Sequence, residues 1–224
     1  MHIPDGFINV GTAVTTYVVS AGGVAYSVKR VANKLQERQV PLMGVMAAFI
    51  FAAQMINFKV AGGTSGHLLG GALVAILLGP WAGTLVITAV LAVQAFIFQD
   101  GGILALGANV FNMALVGVWS AYLIYTLLRK VIPGQKGVLI GGFVAAWASV
   151  VLASMAASLE LAISGTSPLS VVIPAMGLVH MLIGIGEGLI TTAVVTFVAA
   201  TRKDLLDLPV AGAKEAACNA GKVA

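Results

Sequence analysis

What constrains this chain most is a series of apolar runs separated by short polar loops. They cover residues 7–28, 41–58, 81–98, 104–128, 137–163 and 169–200, with a shorter one at 68–78. A helix needs roughly 17–25 mostly apolar residues to cross a bilayer, so six of the seven runs are long enough. A soluble domain carries about 25% charged residues; here the figure is 9% of 224, with 59% hydrophobic. The sequence therefore predicts an all-α polytopic membrane protein of seven helices with a short third one. Gly79-Pro80 breaks the chain after that short run, as Gly-Pro pairs do. The loop before it, Gly62-Gly63-Thr64-Ser65-Gly66-His67, has to dip below the membrane surface or start inside a cavity. Non-helical backbone is tolerated at that depth only where protein or water surrounds it. His67 is then expected in the first turn of a helix that begins below the surface.

Basic residues give the orientation. Lys29, Arg30, Lys34 and Arg38 follow the first run, Arg129, Lys130 and Lys136 the fifth, and Arg202 and Lys203 the last. The loops after the second, fourth and sixth hold a single lysine, Lys59, and no arginine. Lys/Arg-rich loops stay in the cytoplasm, so the N-terminus is expected outside and the C-terminus inside, with the loop at 62–67 on the side of Met1. One membrane domain over 1–203 and a cytoplasmic polar tail over 204–224 follow. The net charge of +4 is spread over loops rather than gathered on a face, which argues against nucleic acid as a partner. Cys218 is the one cysteine, so an intrachain disulfide is excluded. No Lys or Arg precedes the first apolar run, unlike a secretory signal peptide, and Met1 is expected to be the mature N-terminus.

That makes the opening Met1-His2-Ile3-Pro4-Asp5-Gly6-Phe7 chemically particular. The Met1 amine, the His2 amide nitrogen and one His2 ring nitrogen can close two chelate rings on one ion in a near-planar array. The amide has to lose its proton, which divalent metals late in the first row promote. Nitrogen donors in a tetragonal plane suit Ni(II), Cu(II) and related ions. One corner stays open, and His67, on the same side of the membrane, is the candidate for it. Polar groups at membrane depth are functional by default.

Met1-His2-Ile3-Pro4-Asp5-Gly6-Phe7 together with Gly63-Thr64-Ser65-Gly66-His67-Leu68 resembles the CbiM/NikM family, substrate-binding components of energy-coupling-factor transporters for cobalt and nickel. The likeness runs over essentially the whole chain. It implies that the Met1 amine, the His2 amide and ring, and His67 hold the ion. It implies Co(II), or alternatively Ni(II), as transported substrate, with no resident cofactor. It also implies a transmembrane coupling subunit, two cytoplasmic ATPases, often a small accessory membrane subunit, and tilting of the capture component to turn its site inward. Placement in a cell (inner) membrane and a link to cobalamin biosynthesis follow from the same likeness. Docking on the coupling subunit is expected through Gly44, Ala48 and Ala52, since small residues four apart let helices approach closely. Gly141, Ala145, Ser149, Ala153 and Ala157 form a similar stripe, assigned to internal packing.

Metal-bound histidines usually donate their other ring nitrogen to a neighbouring acceptor. Asp5 ranks first for supporting the site, with Thr64, Ser65 and Asn109, while Gln94 and Asn112 are further candidates. His180 and Glu187 share one helix face, seven residues apart, and suit a hydrogen-bonded pair or a water-lined release route. The chain has no G-x-x-x-x-G-K-[ST] run, the phosphate-binding loop of ATPases, so it is expected not to be an enzyme and to draw its driving energy from other chains. A distant alternative is a rhomboid-like intramembrane serine protease, from Gly63-Thr64-Ser65-Gly66 and a following His180 with Gly184 and Gly188.

Overall fold

The structure is a computed structural model that describes residues 1–32, 39–60 and 64–202. The expected polar tail over 204–224, with Cys218, and the glycines Gly62 and Gly63 lie outside the described residues.

Seven α-helical segments and one small hairpin make up the fold: α1 Val10–Ala32, α2 Gln39–Met55, β1 Phe58–Val60, β2 Thr64–Gly66, α3 Gly71–Ile97, α4 Leu106–Val110, α5 Val118–Val131, α6 Gly134–Ile163 and α7 Leu169–Thr201. A π-helical stretch, Phe111–Gly117, joins α4 to α5, so that Leu106–Val131 is one rod. Among the described residues four elements are long and apolar enough to cross a membrane: α3, the 106–131 rod, α6 and α7, while α2 is a shorter apolar helix. Seven crossing helices are not found by this measure among the described residues, but the expected short third helix is present as the first leg of α3, residues 71–78, which ends at Gly79. Runs 68–78 and 81–98 belong to one element, α3, in which Gly79 alone leaves helical geometry, at φ 80° and ψ 167°.

At Gly79 the chain reverses. A β-carbon placed on Gly83 would lie 3.2 Å from the Val74 side chain and 3.5 Å from the Ala75 nitrogen. Residues eight apart in a straight helix are separated by about 12 Å, so the legs 71–78 and 80–97 lie side by side. A φ of +80° is open to glycine at no steric cost, and Pro80 supplies the fixed φ with which a helix can start again. The reversal matters because it sends the second leg of α3 back toward the opening segment, where Gln94 meets His2.

The other elements have local causes. Asn9 caps α1, its side-chain oxygen taking the Thr12 N–H at 2.8 Å and its carbonyl the Ala13 N–H at 2.9 Å, the usual role of Asn at a helix start. Pro133 and Pro168, both extended, stand immediately before α6 and α7. Helices α6 and α7 pack together closely. Gly141, Ala145, Ser149, Ala153 and Ala157 are all buried, as internal packing requires. Gly184 on α7 lies so close to α6 that a β-carbon there would meet the Trp147 backbone at 3.2 Å. Large apolar side chains such as Val18, Leu127, Leu182 and Phe197 point outward, where lipid would receive them. Helix α3 is the central element, every residue of its leg 71–78 being buried.

Candidate metal centre

The opening segment does not dangle. Met1 and Ile3 are completely buried and His2 nearly so. The Met1 amine donates to the carbonyl of Ser65 and lies 3.3 Å from the Ser65 hydroxyl. Ser65 is in β2, which pairs antiparallel with β1 in the register Phe58 to Gly66, Lys59 to Ser65 and Val60 to Thr64. Ile3 is held at both backbone atoms by one side chain. Asn109 Oδ1 accepts its N–H at 2.8 Å and Asn109 Nδ2 donates to its carbonyl at 3.1 Å. That carbonyl also takes the Gly102 N–H at 2.9 Å.

The two histidines meet. Their rings stack with centroids 4.5 Å apart and planes 27° from parallel. Each ring has one nitrogen committed to an oxygen acceptor. His2 Nε2 lies 3.0 Å from Gln94 Oε1, and His67 Nδ1 lies 2.7 Å from the Leu68 carbonyl. A carbonyl oxygen only accepts, so in each case that nitrogen carries the hydrogen. The other nitrogen, His2 Nδ1 or His67 Nε2, then presents a lone pair. His67 Nε2 is buried with no hydrogen-bond partner among the described residues. His2 Nδ1 faces Asp100 Oδ1 at 3.5 Å, and Asp100 is steadied by Asn57, which donates to its other oxygen at 3.0 Å.

Electrostatics prepare the same site. Burial pushes the Met1 amine down from 8.0 to about 4, against the opposing pull of Asp100. Burial, with the neighbouring amine, pushes the His2 ring down from 6.5 to about 3. His67 is held well below 6.5, by burial first and then by the amine and His2. At neutral pH all three are uncharged donors, so no proton has to leave them before a cation binds. Among the described residues no three His, Cys, Asp or Glu side chains gather as a metal cluster. The donor-rich feature is the chain's first two residues, where two of the three candidate nitrogens, the amine and the amide, belong to the main chain.

Not every expected support is where the sequence suggested. Asp5 does not orient a histidine. Its oxygens accept the N–H groups of Ile103, Leu104 and Ala105 at 3.2, 2.8 and 3.2 Å, fastening the segment to the following loop. Asn112 donates to Glu160 at 2.6 Å instead of serving the histidines. The side chain of Thr64 lies outside the described features. Ser65 and Asn109 do stand at the site. Glu187 does not pair with His180. Its carboxylate accepts the N–H groups of Leu69 and Gly70 at 2.7 and 2.6 Å, while Gln54 donates to the Leu69 carbonyl at 2.7 Å. These two clamp the loop that carries His67, which precedes α3 instead of lying in its first turn as expected, the helix starting only at Gly71 after Gly70 in the left-handed conformation. Asp100 was not anticipated, and Gln94 only as one candidate among several. Gly44, Ala48 and Ala52 lie exposed on α2, opposite the buried Met46, Ile50 and Gln54. No Ser–His dyad of the protease kind is formed, since His180 Nδ1 bonds the Met176 carbonyl and Ser65 Oγ faces the Met1 amine.

The fold and site define a helical chain with membrane-crossing elements whose buried N-terminus meets two stacked imidazoles. The chain is a member of the CbiM family, described as the cobalt uptake substrate-specific transmembrane region, whose model matches residues 2–205. It is 34% identical over 222 residues to the fused nickel transport protein NikMN of Rhodobacter capsulatus, covering 92% of this chain and 64% of that one. It is 31% identical over 213 residues to the cobalt transport protein CbiM of Streptomyces coelicolor, covering 91% and 90%. A crystal structure of a truncated transition metal transporter superposes with a TM-score of 0.84 at 33% identity, over 89% of this chain and 99% of the other.

Proposed function

We propose that this chain is the substrate-capture subunit of an ATP-driven, energy-coupling-factor type uptake system for Co(II), with Ni(II) as the alternative cargo. The relatives named above are transport proteins for one or the other. The observation that carries the reading is the convergence of the Met1 amine, His2 and the bare His67 Nε2 in one buried place. The ion is held in an all-nitrogen plane by the Met1 amine, the deprotonated His2 amide, His2 Nδ1 and His67 Nε2. Such donors discriminate against Mg(II) and Ca(II), which take oxygen ligands. Gln94 fixes the His2 tautomer, as acceptors behind metal-bound imidazoles do. The charges balance: two positive on the ion, one negative on the amide and one on Asp100 beside it.

The N-terminus and the site face outward, and the C-terminus faces the cytoplasm of a cell (inner) membrane. Energy comes from two cytoplasmic ATPase chains through a transmembrane coupling subunit, with a small accessory membrane subunit. The exposed stripe Gly44, Ala48, Ala52 meets the coupling subunit. The captured metal feeds cobalamin biosynthesis if it is cobalt.

The test is bound Co and Ni by elemental analysis of four purified forms: His2→Ala, His67→Ala, an N-terminal tag and a C-terminal tag. His2→Ala and the N-terminal tag are expected to abolish high-affinity binding. His67→Ala should weaken it less, since it removes one donor where His2 supplies two, and the C-terminal tag should be harmless. Full metal content in the N-terminally tagged protein would show that the opening residues are not the site.

A further inference from the structure

His180 has no role in the capture site, yet it is prepared as His67 is. It is fully buried on α7. Its Nδ1 donates to the Met176 carbonyl at 2.7 Å, and its Nε2 has no hydrogen-bond partner among the described residues. Buried polar atoms are nearly always satisfied, and one that is not asks for an explanation. A tautomer fixed by a carbonyl, with the other nitrogen bare, is the arrangement of a metal-ligating imidazole.

Its placement points the same way. His180 and Glu187 are seven residues apart on one helix, about 10 Å along one face. Glu187 grips Leu69 and Gly70, immediately after His67 in the chain, and α7 also packs against both strands of the hairpin that precedes His67. The face of α7 that bears His180 is therefore turned toward the His67 loop. The ring lies within electrostatic range of His67 and of the Met1 amine.

We propose that His67 Nε2 and His180 Nε2 form a second station for the divalent ion, reached when His180 replaces the Met1 and His2 donors while His67 stays bound. This rests on the capture reading above. The exchange is redox-neutral. The bonds from the metal to the amine, the amide and His2 Nδ1 break, the amide nitrogen takes back one proton from water, the hydroxide left is neutralised by a proton from bulk solvent, and the bond to His180 forms. Water fills the remaining positions on the ion. Two neutral imidazoles hold a late first-row ion less tightly than a chelate that includes an anionic amide. The second station is thus the weaker one, as a place on a release route has to be.

Co(II) is the probe, titrated into the full chain in detergent and followed by visible absorption and equilibrium dialysis. His2→Ala cannot form the planar chelate and should keep one weak site, its affinity lower by at least about a hundredfold. Adding His180→Gln, which keeps a polar side chain of similar size, should remove that residual site. A second variant gives a positive signal. His2→Ala/His180→Cys should show a thiolate-to-cobalt charge-transfer band in the near ultraviolet that His2→Ala, with its native Cys218, does not. Residual binding that survives His180→Gln, or a cysteine variant that binds cobalt without the band, overturns the second station. Wild-type affinity in His2→Ala alone would instead sink the capture reading, so the two failures are distinguishable.

Discussion

His2 is asked to contribute both a ring and a backbone nitrogen, and the structure leaves it little freedom: its ring is stacked, tied to Gln94 and buried. The depressed proton affinities of Met1 and His2 set the pH behaviour. Both groups bind protons more readily in a solvated, undocked segment, near 8.0 and 6.5, than in the docked one, near 4 and 3. Docking is therefore at full strength above about pH 8 and weakens as pH falls toward 3. Where the segment is docked, the amine and rings are already neutral, so binding one ion should release about one proton, from the His2 amide. Apparent affinity should then fall about tenfold per pH unit between pH 8 and 5.5. Titration calorimetry at pH 6 in two buffers of different ionisation heat measures the count. More than three protons would mean a solvated, protonated empty site, and none would remove the amide from the donor set. Asn109→Ala strips both backbone atoms of Ile3 of a buried partner, a loss of roughly 1–3 kcal/mol, and should weaken metal binding by about ten- to a hundredfold in dialysis while the helices stay folded by circular dichroism. That Met1, His2 and His67 lie together was legible in the sequence because the first two are neighbours and the third follows a glycine-rich loop. Gln94 and Asp100 were much less so, since they reach the site from more than ninety residues away and nothing local marks them.

At the scale of elements, the loop after α3 cradles the opening segment, and Gly102 is its narrowest point. A β-carbon there would come within 2.0 Å of an Asp5 oxygen and 2.4 Å of the Asp5 nitrogen. Gly102→Ala should therefore expel the segment, with metal content lost and thermal stability of the helical body little changed. Equal loss of both would show that the loop is part of the general packing. The outward stripe on α2 makes a different prediction. Ala48→Leu or Ala52→Leu adds bulk to an exposed face, so the isolated subunit should keep its metal while uptake by the assembled system falls at least about tenfold. Uptake at the wild-type rate would remove this stripe from the docking surface. The helices themselves were readable from apolar length and breakers, including the break at Gly79-Pro80. The fate of that break was not, because a glycine and a proline end a helix without saying where the next leg goes. The π-helical stretch at Phe111–Gly117 was equally invisible, since its apolar pattern is that of an ordinary helix.

The molecule keeps an apolar core, with Leu73, Ile87 and Met113 buried beside Ser149, Ser154 and Ser158, and differs from a soluble protein in its surface, where large apolar side chains such as Leu182 and Phe197 face outward. The membrane class was legible from composition alone. Orientation is testable directly. In a Cys218→Ser background, a cysteine at Ser164 should react with a membrane-impermeant reagent in intact cells and one at Gln135 should not; the reverse pattern overturns the outward-facing N-terminus. The reversal at Gly79 bears also on how the protein is made. Residues 71–78 extend about 12 Å as a helix, against a hydrocarbon core of about 30 Å. The insertion machinery cannot release this leg into lipid as a unit, because its ends would stay unsatisfied in hydrocarbon. It has to be withheld until 80–97 emerges and the pair can go in together. The loop that carries His67 thus leads directly into a helix too short to be committed to the bilayer on its own.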